Sequence, residues 1–121
     1  MNFIFATVHV KDLDVSVRFY EEIAGMKVIR RFSAGPSGEI AFLSGEDGAQ
    51  IELICNKGET PEKSAGNPSL GLASEDLDAS MEFMKEKGVE ITAGPFQPNP
   101  KTRFFFIKDP DGTALEIIEQ K

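Results

Sequence analysis

One cysteine in 121 residues excludes an internal disulfide and fits a reducing compartment, so a cytoplasmic setting is expected. His9 is the only histidine, so imidazole chemistry can come from one position alone. No apolar run approaches the roughly 18–20 residues that a membrane span needs. The opening MNFIFATVHV has neither a basic start nor a small-residue cleavage site, so neither a signal peptide nor a membrane partner is expected. Basic residues are also in the minority, with 13 Lys and Arg against 20 Asp and Glu, a net charge of −7. That disfavours nucleic acid as a partner, because phosphate contact needs a basic surface. An acidic balance can draw a cationic ligand, and it also serves solubility alone.

What the chain does have is an internal repeat. Asp12-Leu13-Asp14 with Ser16 returns as Asp76-Leu77-Asp78 with Ser80, and Phe19 returns as Phe83. LSGEDGAQIELI from Leu43 is matched by IKDPDGTALEII from Ile107, which aligns Asp47-Gly48 with Asp111-Gly112 and Glu52 with Glu116. The offset is 64 each time (76−12, 83−19, 111−47, 116−52). A fixed period of self-similarity implies two copies of one supersecondary unit. The chain length suits one domain sharing a core, with module 1 at about 1–56, a polar linker at about 57–67 and module 2 at about 68–121.

Periodicity predicts the same element order in both modules. Residues 3–10 alternate and are rich in β-formers, with Phe5, Thr7 and His9 on one face and Val8 and Val10 on the other. Asp12 or Asp14 can cap a helix carrying Leu13, Val17 and Tyr20, which Gly25 ends. Strands follow at 26–32, 39–44 and 49–55, the last two joined by the Asp47-Gly48 turn. In module 2, strands are expected at 68–73, 89–92, 103–108 and 113–119, with a helix after Asp76 or Asp78. Residues 94–100 hold three prolines and read as an irregular loop, able to act as a lid, as is the linker. The run Phe104-Phe105-Phe106 reads as a strand covered on both faces, with one ring able to line a pocket. Each module is thus β-α-β-β-β, an α+β fold class.

This duplicated unit resembles the vicinal oxygen chelate superfamily, the glyoxalase, bleomycin-resistance and extradiol-dioxygenase group. The stretches that carry the resemblance are Val10-Lys11-Asp12-Leu13-Asp14, Phe19-Tyr20, Gly25-Met26, and Asp109-Pro110-Asp111-Gly112 through Glu116. The resemblance implies sheets curled around a cleft, and a homodimer. Metal-dependent members use four ligands, one from the first strand and a glutamate from the last strand of each module. On this chain the glutamates match Glu52 and Glu116, while the first-strand positions hold Phe5 and Ser69 (5+64). Phe5 has no lone pair, and a serine hydroxyl is a poor ligand for the usual divalent ions. No cofactor is therefore expected; a divalent Ni or Zn ion, if bound, would use Glu52 and Glu116.

The candidate ligand-binding residues are then Phe5, Thr7, His9, Glu52, Ser69, Arg103 and Glu116. Glu52 and Glu116 are also the catalytic candidates. Two carboxylates in one cleft can do general acid–base work, or face a cationic ligand. His9 can act as acid or base, give a hydrogen bond, join the two glutamates at a metal, or play no chemical part. Its mate is Ala73 (9+64). Arg103 is either an anion-recognition residue at the cleft mouth or a surface arginine. Cys55 has the opposite strand parity to Glu52 and reads as a structural thiol on the helix side. Two functions follow: a metal-independent binder of a small organic molecule, or a metal-dependent lyase or isomerase of the glyoxalase type.

Overall fold

The computed structural model describes residues 5–58 and 68–121. The chain divides into two compact units, Met1–Lys63 and Ser64–Lys121. Most of the expected linker lies outside the described residues, as do the first two residues of the expected opening strand.

Unit 1 runs β1 (Phe5–His9), α1 (Leu13–Glu22), β2 (Lys27–Ala34), β3 (Gly38–Ser44) and β4 (Gln50–Asn56). Its sheet has the order β1-β4-β3-β2, with β1 parallel to β4 and the other pairs antiparallel. Unit 2 repeats this with β5 (Ser69–Ala73), α2 (Leu77–Glu86), β6 (Ala93–Asn99), β7 (Thr102–Lys108) and β8 (Ala114–Gln120), ordered β5-β8-β7-β6. The fold is α+β, as the sequence pattern implies.

Both helices start for the same reason. The Asp12 carboxylate accepts from the Val15 backbone N–H at 3.2 Å, and Asp76 accepts from that of Ala79 at 3.1 Å. Each cap satisfies an N–H that the first helical turn leaves without a carbonyl, worth about 1 kcal/mol. Gly25 and Gly88 follow the helices at positive φ (71° and 70°), where a side chain would be strained.

One face of each sheet is core. In unit 1, α1 packs on β2, β3 and β4 and buries Leu13, Val17 and Tyr20. Val8, Ala41, Leu43, Ile51 and Leu53 are buried from the sheet. In unit 2, α2 packs on β8. Leu77, Met84, Phe105, Ile107, Leu115 and Ile117 are buried there. Strict alternation leaves the other face of each sheet to Glu52 and Glu116 and their neighbours.

The expected loop at 94–100 is instead strand β6, and the expected strand at 89–92 is irregular. The prolines misled because β6 is an edge strand. It pairs only with β7, through Ala93↔Phe106, Phe96↔Phe104 and Asn99↔Thr102, with register shifts between those pairs. Pro95 and Pro98 fall between the paired positions, where a missing N–H breaks no ladder bond. Residues 94–100 are therefore tied to a sheet rather than free to close as a lid.

Candidate functional site

In unit 1 the backbone register sets one transverse row across all four strands. Thr7 on β1 pairs with Glu52 on β4, Glu52 with Phe42 on β3, and Phe42 with Arg30 on β2. All four side chains lie on the face away from α1, because paired residues in a sheet share a face. The Thr7 hydroxyl donates to Glu52 Oε1 at 2.7 Å. This bond fixes one carboxylate oxygen and leaves Oε2 free to accept. Glu52 has no cationic partner among the described residues.

Aromatic rings share this face with the carboxylate. Phe5 packs edge-on against Phe42 with ring centroids 5.1 Å apart. Phe32 lies nearly parallel to Phe42 at 6.3 Å and 17°. The Arg30 guanidinium carbon sits 4.3 Å from the Phe42 centroid and 5.8 Å from that of Phe32. His9 ends β1, exposed, in the neighbouring row with Ile54, Ile40 and Phe32.

Arg30 was not among the residues singled out from sequence, and the reason is a bulge. Plain alternation from the buried Met26 would put Val28 and Arg30 together on the core side. The register shifts between Val28 and Arg30, so Val28 pairs with Leu43 but Arg30 pairs with Phe42. An extra residue inverts the facing of everything after it. Arg31 consequently faces α1, where it binds Asp14 at 2.7 Å and Glu39 at 3.1 Å. Those carboxylates raise its pKa further above the ordinary arginine value, the Asp14 hydrogen bond contributing most.

Unit 2 builds the equivalent row from different residues. Gly71 pairs with Glu116, Glu116 with Phe106, and Phe106 with Ala93. Gly71 stands where unit 1 has Thr7 (7+64), so no hydroxyl reaches the carboxylate. Glu116 has no hydrogen-bond or ion-pair partner among the described residues. Phe104 meets Phe106 edge-on at 5.8 Å and Phe96 at 5.4 Å. Phe105 is fully buried on the opposite face. The triple-phenylalanine run therefore splits, one ring to the core and two to the face that carries Glu116. Ser69 is exposed at the start of β5, one row from Glu116.

The structure brings Phe5, Thr7 and Glu52 together on one face, with His9 at its rim, and sets Ser69 on the same face of its own sheet as Glu116. Arg103 stands apart from them. Its guanidinium binds Asp78 at 2.9 Å and approaches Glu119 at 3.9 Å, on the helix side of β7. The Arg103 hydrogen bond, helped by its charge, holds the Asp78 carboxyl below the usual aspartate value. Glu119 is buried and also accepts the Leu77 N–H at 3.2 Å, so Arg103 belongs to the tether between helix and sheet. The Cys55 thiol lies 3.2 Å from the Lys11 carbonyl, as a structural thiol would.

The donor chemistry fits poorly with a four-ligand metal set. Such a set needs an imidazole or comparable donor at positions 5 and 69; Phe5 has no lone pair to give, and the Ser69 hydroxyl is a weak ligand for these ions. Among the described residues, no three of His, Cys, Asp and Glu are grouped so that they could hold a metal ion. No helix among them is long and apolar enough to cross a membrane.

Two mixed sheets of this order, each with one helix on its face and a last-strand glutamate on the other, define a glyoxalase-like protein. The chain belongs to the Glyoxalase/Bleomycin resistance protein/Dioxygenase superfamily, whose model matches residues 3–117. It is 34% identical to a lactoylglutathione lyase from Haemophilus influenzae over 129 aligned residues, covering 100% of this chain and 94% of that one. Among solved structures it resembles glyoxalase I from Zea mays, at 29% identity and a TM-score of 0.86. That match covers 97% of this chain but only 44% of the maize chain, so this chain spans under half of that enzyme's length. It also shares its fold with an antibiotic binding protein from Streptomyces, at 22% identity and a TM-score of 0.79, covering 100% and 98% of the two chains.

Proposed function

We propose that this chain is a small-molecule-binding protein of the glyoxalase/bleomycin-resistance type that works without the usual four-ligand metal site. The observation that carries this reading is Phe5. It fills the first-strand donor position with a ring packed at 5.1 Å on Phe42. An apolar, aromatic face with few polar groups gains affinity from burial and takes its orientation from those groups. On unit 1 these are Glu52 with Thr7, and His9; on unit 2 they are Glu116 and Ser69. A fold supports many chemistries, so the site and not the fold has to choose among them.

The second reading is a metal-dependent lyase or isomerase resembling lactoylglutathione lyase. Whole-length identity of 34% to a protein of that name favours it. It relies on Glu52 and Glu116 and on added Ni or Zn. The two readings separate in one pair of assays on the full chain. In chelator, the first predicts saturable NMR shifts at Phe5, Thr7, Phe42 and Glu52 with small aromatic ligands. It also predicts no turnover of methylglyoxal–thiol adducts when Ni or Zn is supplied. Turnover that appears only with metal and disappears in Glu52→Gln would replace it with the second. The single cysteine fits a cytoplasmic setting, and the homodimer that the family resemblance implies is checked by light scattering.

A further inference from the structure

Arg30 stands on the outer face of unit 1 in the row of Glu52 and Phe42, with Lys27 on the same face one row away, and its surroundings are set up to read an anion. Arg31 and Arg103 are both neutralised by carboxylates on the helix sides of their sheets. Arg30 has no carboxylate partner among the described residues. Its guanidinium carbon instead lies over the Phe42 ring, 4.3 Å from the centroid, and 5.8 Å from that of Phe32. Stacking occupies the face of the guanidinium and leaves its in-plane N–H fork open. That fork matches a carboxylate bidentately. The two rings also restrict the long side chain before any ligand arrives, which lowers the ordering cost of binding.

The same row ends in a group of opposite sign. Glu52 and Arg30 stand two strands apart, with the Phe42 ring between them. Two strand spacings put their backbones about 9.5 Å apart. Thr7 holds Glu52 Oε1 and leaves Oε2 to accept from a ligand donor. A chain with a net charge of −7 repels organic anions in general, so a guanidinium with no carboxylate partner among the described residues is a selective local exception.

We infer that the outer face of unit 1 recognises an organic carboxylate, with Arg30 taking the carboxylate and Phe32 and Phe5, packed over the buried Phe42, taking an apolar or aromatic body. Glu52 then favours ligands that carry a hydrogen-bond donor at the far end. This deepens the small-molecule reading above by naming the ligand class, and it rests on that reading.

The probes are hydrocinnamate and its neutral amide, hydrocinnamamide, titrated in chelator into the full chain and followed by two-dimensional NMR. The carboxylate is expected to bind about tenfold more tightly than the amide, the scale of one charge-assisted bidentate contact. Arg30→Met keeps the apolar stem and should erase that preference while leaving amide affinity within about twofold. Arg30→Lys should recover part of it, and the neighbouring control Arg31→Met should leave it intact. Equal affinity for the two probes, a preference that survives Arg30→Met, or no saturable shift with the carboxylate overturns the inference. A neutral ligand that binds tightly in chelator would sink it while upholding the binding function. Turnover that requires metal would instead remove the function on which it rests.

Discussion

The outer faces of the two sheets descend from one repeat yet carry different chemistry. In unit 1 the row Thr7–Glu52–Phe42–Arg30 alternates hydroxyl, carboxylate, ring and guanidinium. In unit 2 the row is Gly71–Glu116–Phe106–Ala93, a lone carboxylate beside phenylalanines. The helix sides keep one tether by different means, since Arg31 aligns with Pro95 and Arg103 with Glu39. Asp14 and Asp78 are mates (14+64), and each ties its helix to an arginine, Arg31 from β2 and Arg103 from β7. Duplication has kept the helix caps, the last-strand glutamates and the ring beside each of them (Phe42 and Phe106), and it has changed the two ends of the row, Thr7 to Gly71 and Arg30 to Gly94. On the proposed binding function, the difference would concentrate recognition on unit 1, while unit 2 presents Gly71 and Ala93 in place of the hydroxyl and the guanidinium.

The strongest way to break this asymmetry is to give both first strands a metal donor. Phe5→His with Ser69→His should convert weak or absent Ni and Zn retention into binding tighter by about a hundredfold or more, read by equilibrium dialysis, because imidazole suits these ions and a phenyl ring does not. An unchanged metal affinity in the double variant would mean that positions 5 and 69 are not donor positions at all.

A smaller effect is expected at Gly94, the mate of Arg30 (94−30 = 64). Its φ is 101°, and an added Cβ would lie 3.0 Å from the Phe104 carbonyl oxygen and the Phe105 Cα. Gly94→Ala should destabilise unit 2 by about 1–3 kcal/mol in urea melts. It would show that the glycine is needed for the bulged path of β6, and that an arginine cannot be restored there.

Next come the hydroxyl positions. Thr7→Val removes the one donor to Glu52 among the described residues and should cost about 1 kcal/mol of stability and loosen ligand binding severalfold. Gly71→Thr is its mirror. No atom lies within 4 Å of the Cβ it would add, so the side chain fits beside Glu116. A β-branched residue in place of a strand glycine should stabilise by about 0.5–1 kcal/mol. If Gly71→Thr also leaves ligand affinity unchanged, recognition is confined to unit 1.

The smallest effect lies in the helix tethers. The Asp78 carboxyl is held below its unfolded value by Arg103, so its contribution is present above about pH 4 and is lost as pH falls through the lowered folded value. Asp78→Asn should flatten the acid limb of the stability profile slightly, visible as a reduced difference in Tm between about pH 5 and pH 3. The pair is solvent-exposed, and an identical profile in the variant would mark it as energetically silent.

Much of the fold was legible in the sequence because the repeat and the caps are local signals. The 64-residue offset aligns both helices, both Asp-Gly turns and both glutamates. Strand parity correctly set Glu52 against Leu53 and gave Cys55 the facing of Leu53, because β4 pairs without a break, although Cys55 is only half-buried where burial is expected. Legibility ended where register shifts. The bulge before Arg30 inverts the facing of β2 and hid that arginine, and the broken register of β6 made its prolines read as a loop. Arg103 shows a different limit: its partners Asp78 and Glu119 come from α2 and β8, and only the packing of helix on sheet brings them to it.

The claim that matters most is that Phe5 and Ser69 have ended four-ligand metal binding while the face around Glu52 still binds small molecules. Elemental analysis of the purified chain after exposure to Ni and Zn and exhaustive dialysis addresses it directly. Substoichiometric metal, unaffected by Glu52→Gln, is the predicted result. One tightly held ion per chain that is lost in Glu52→Gln would contradict it.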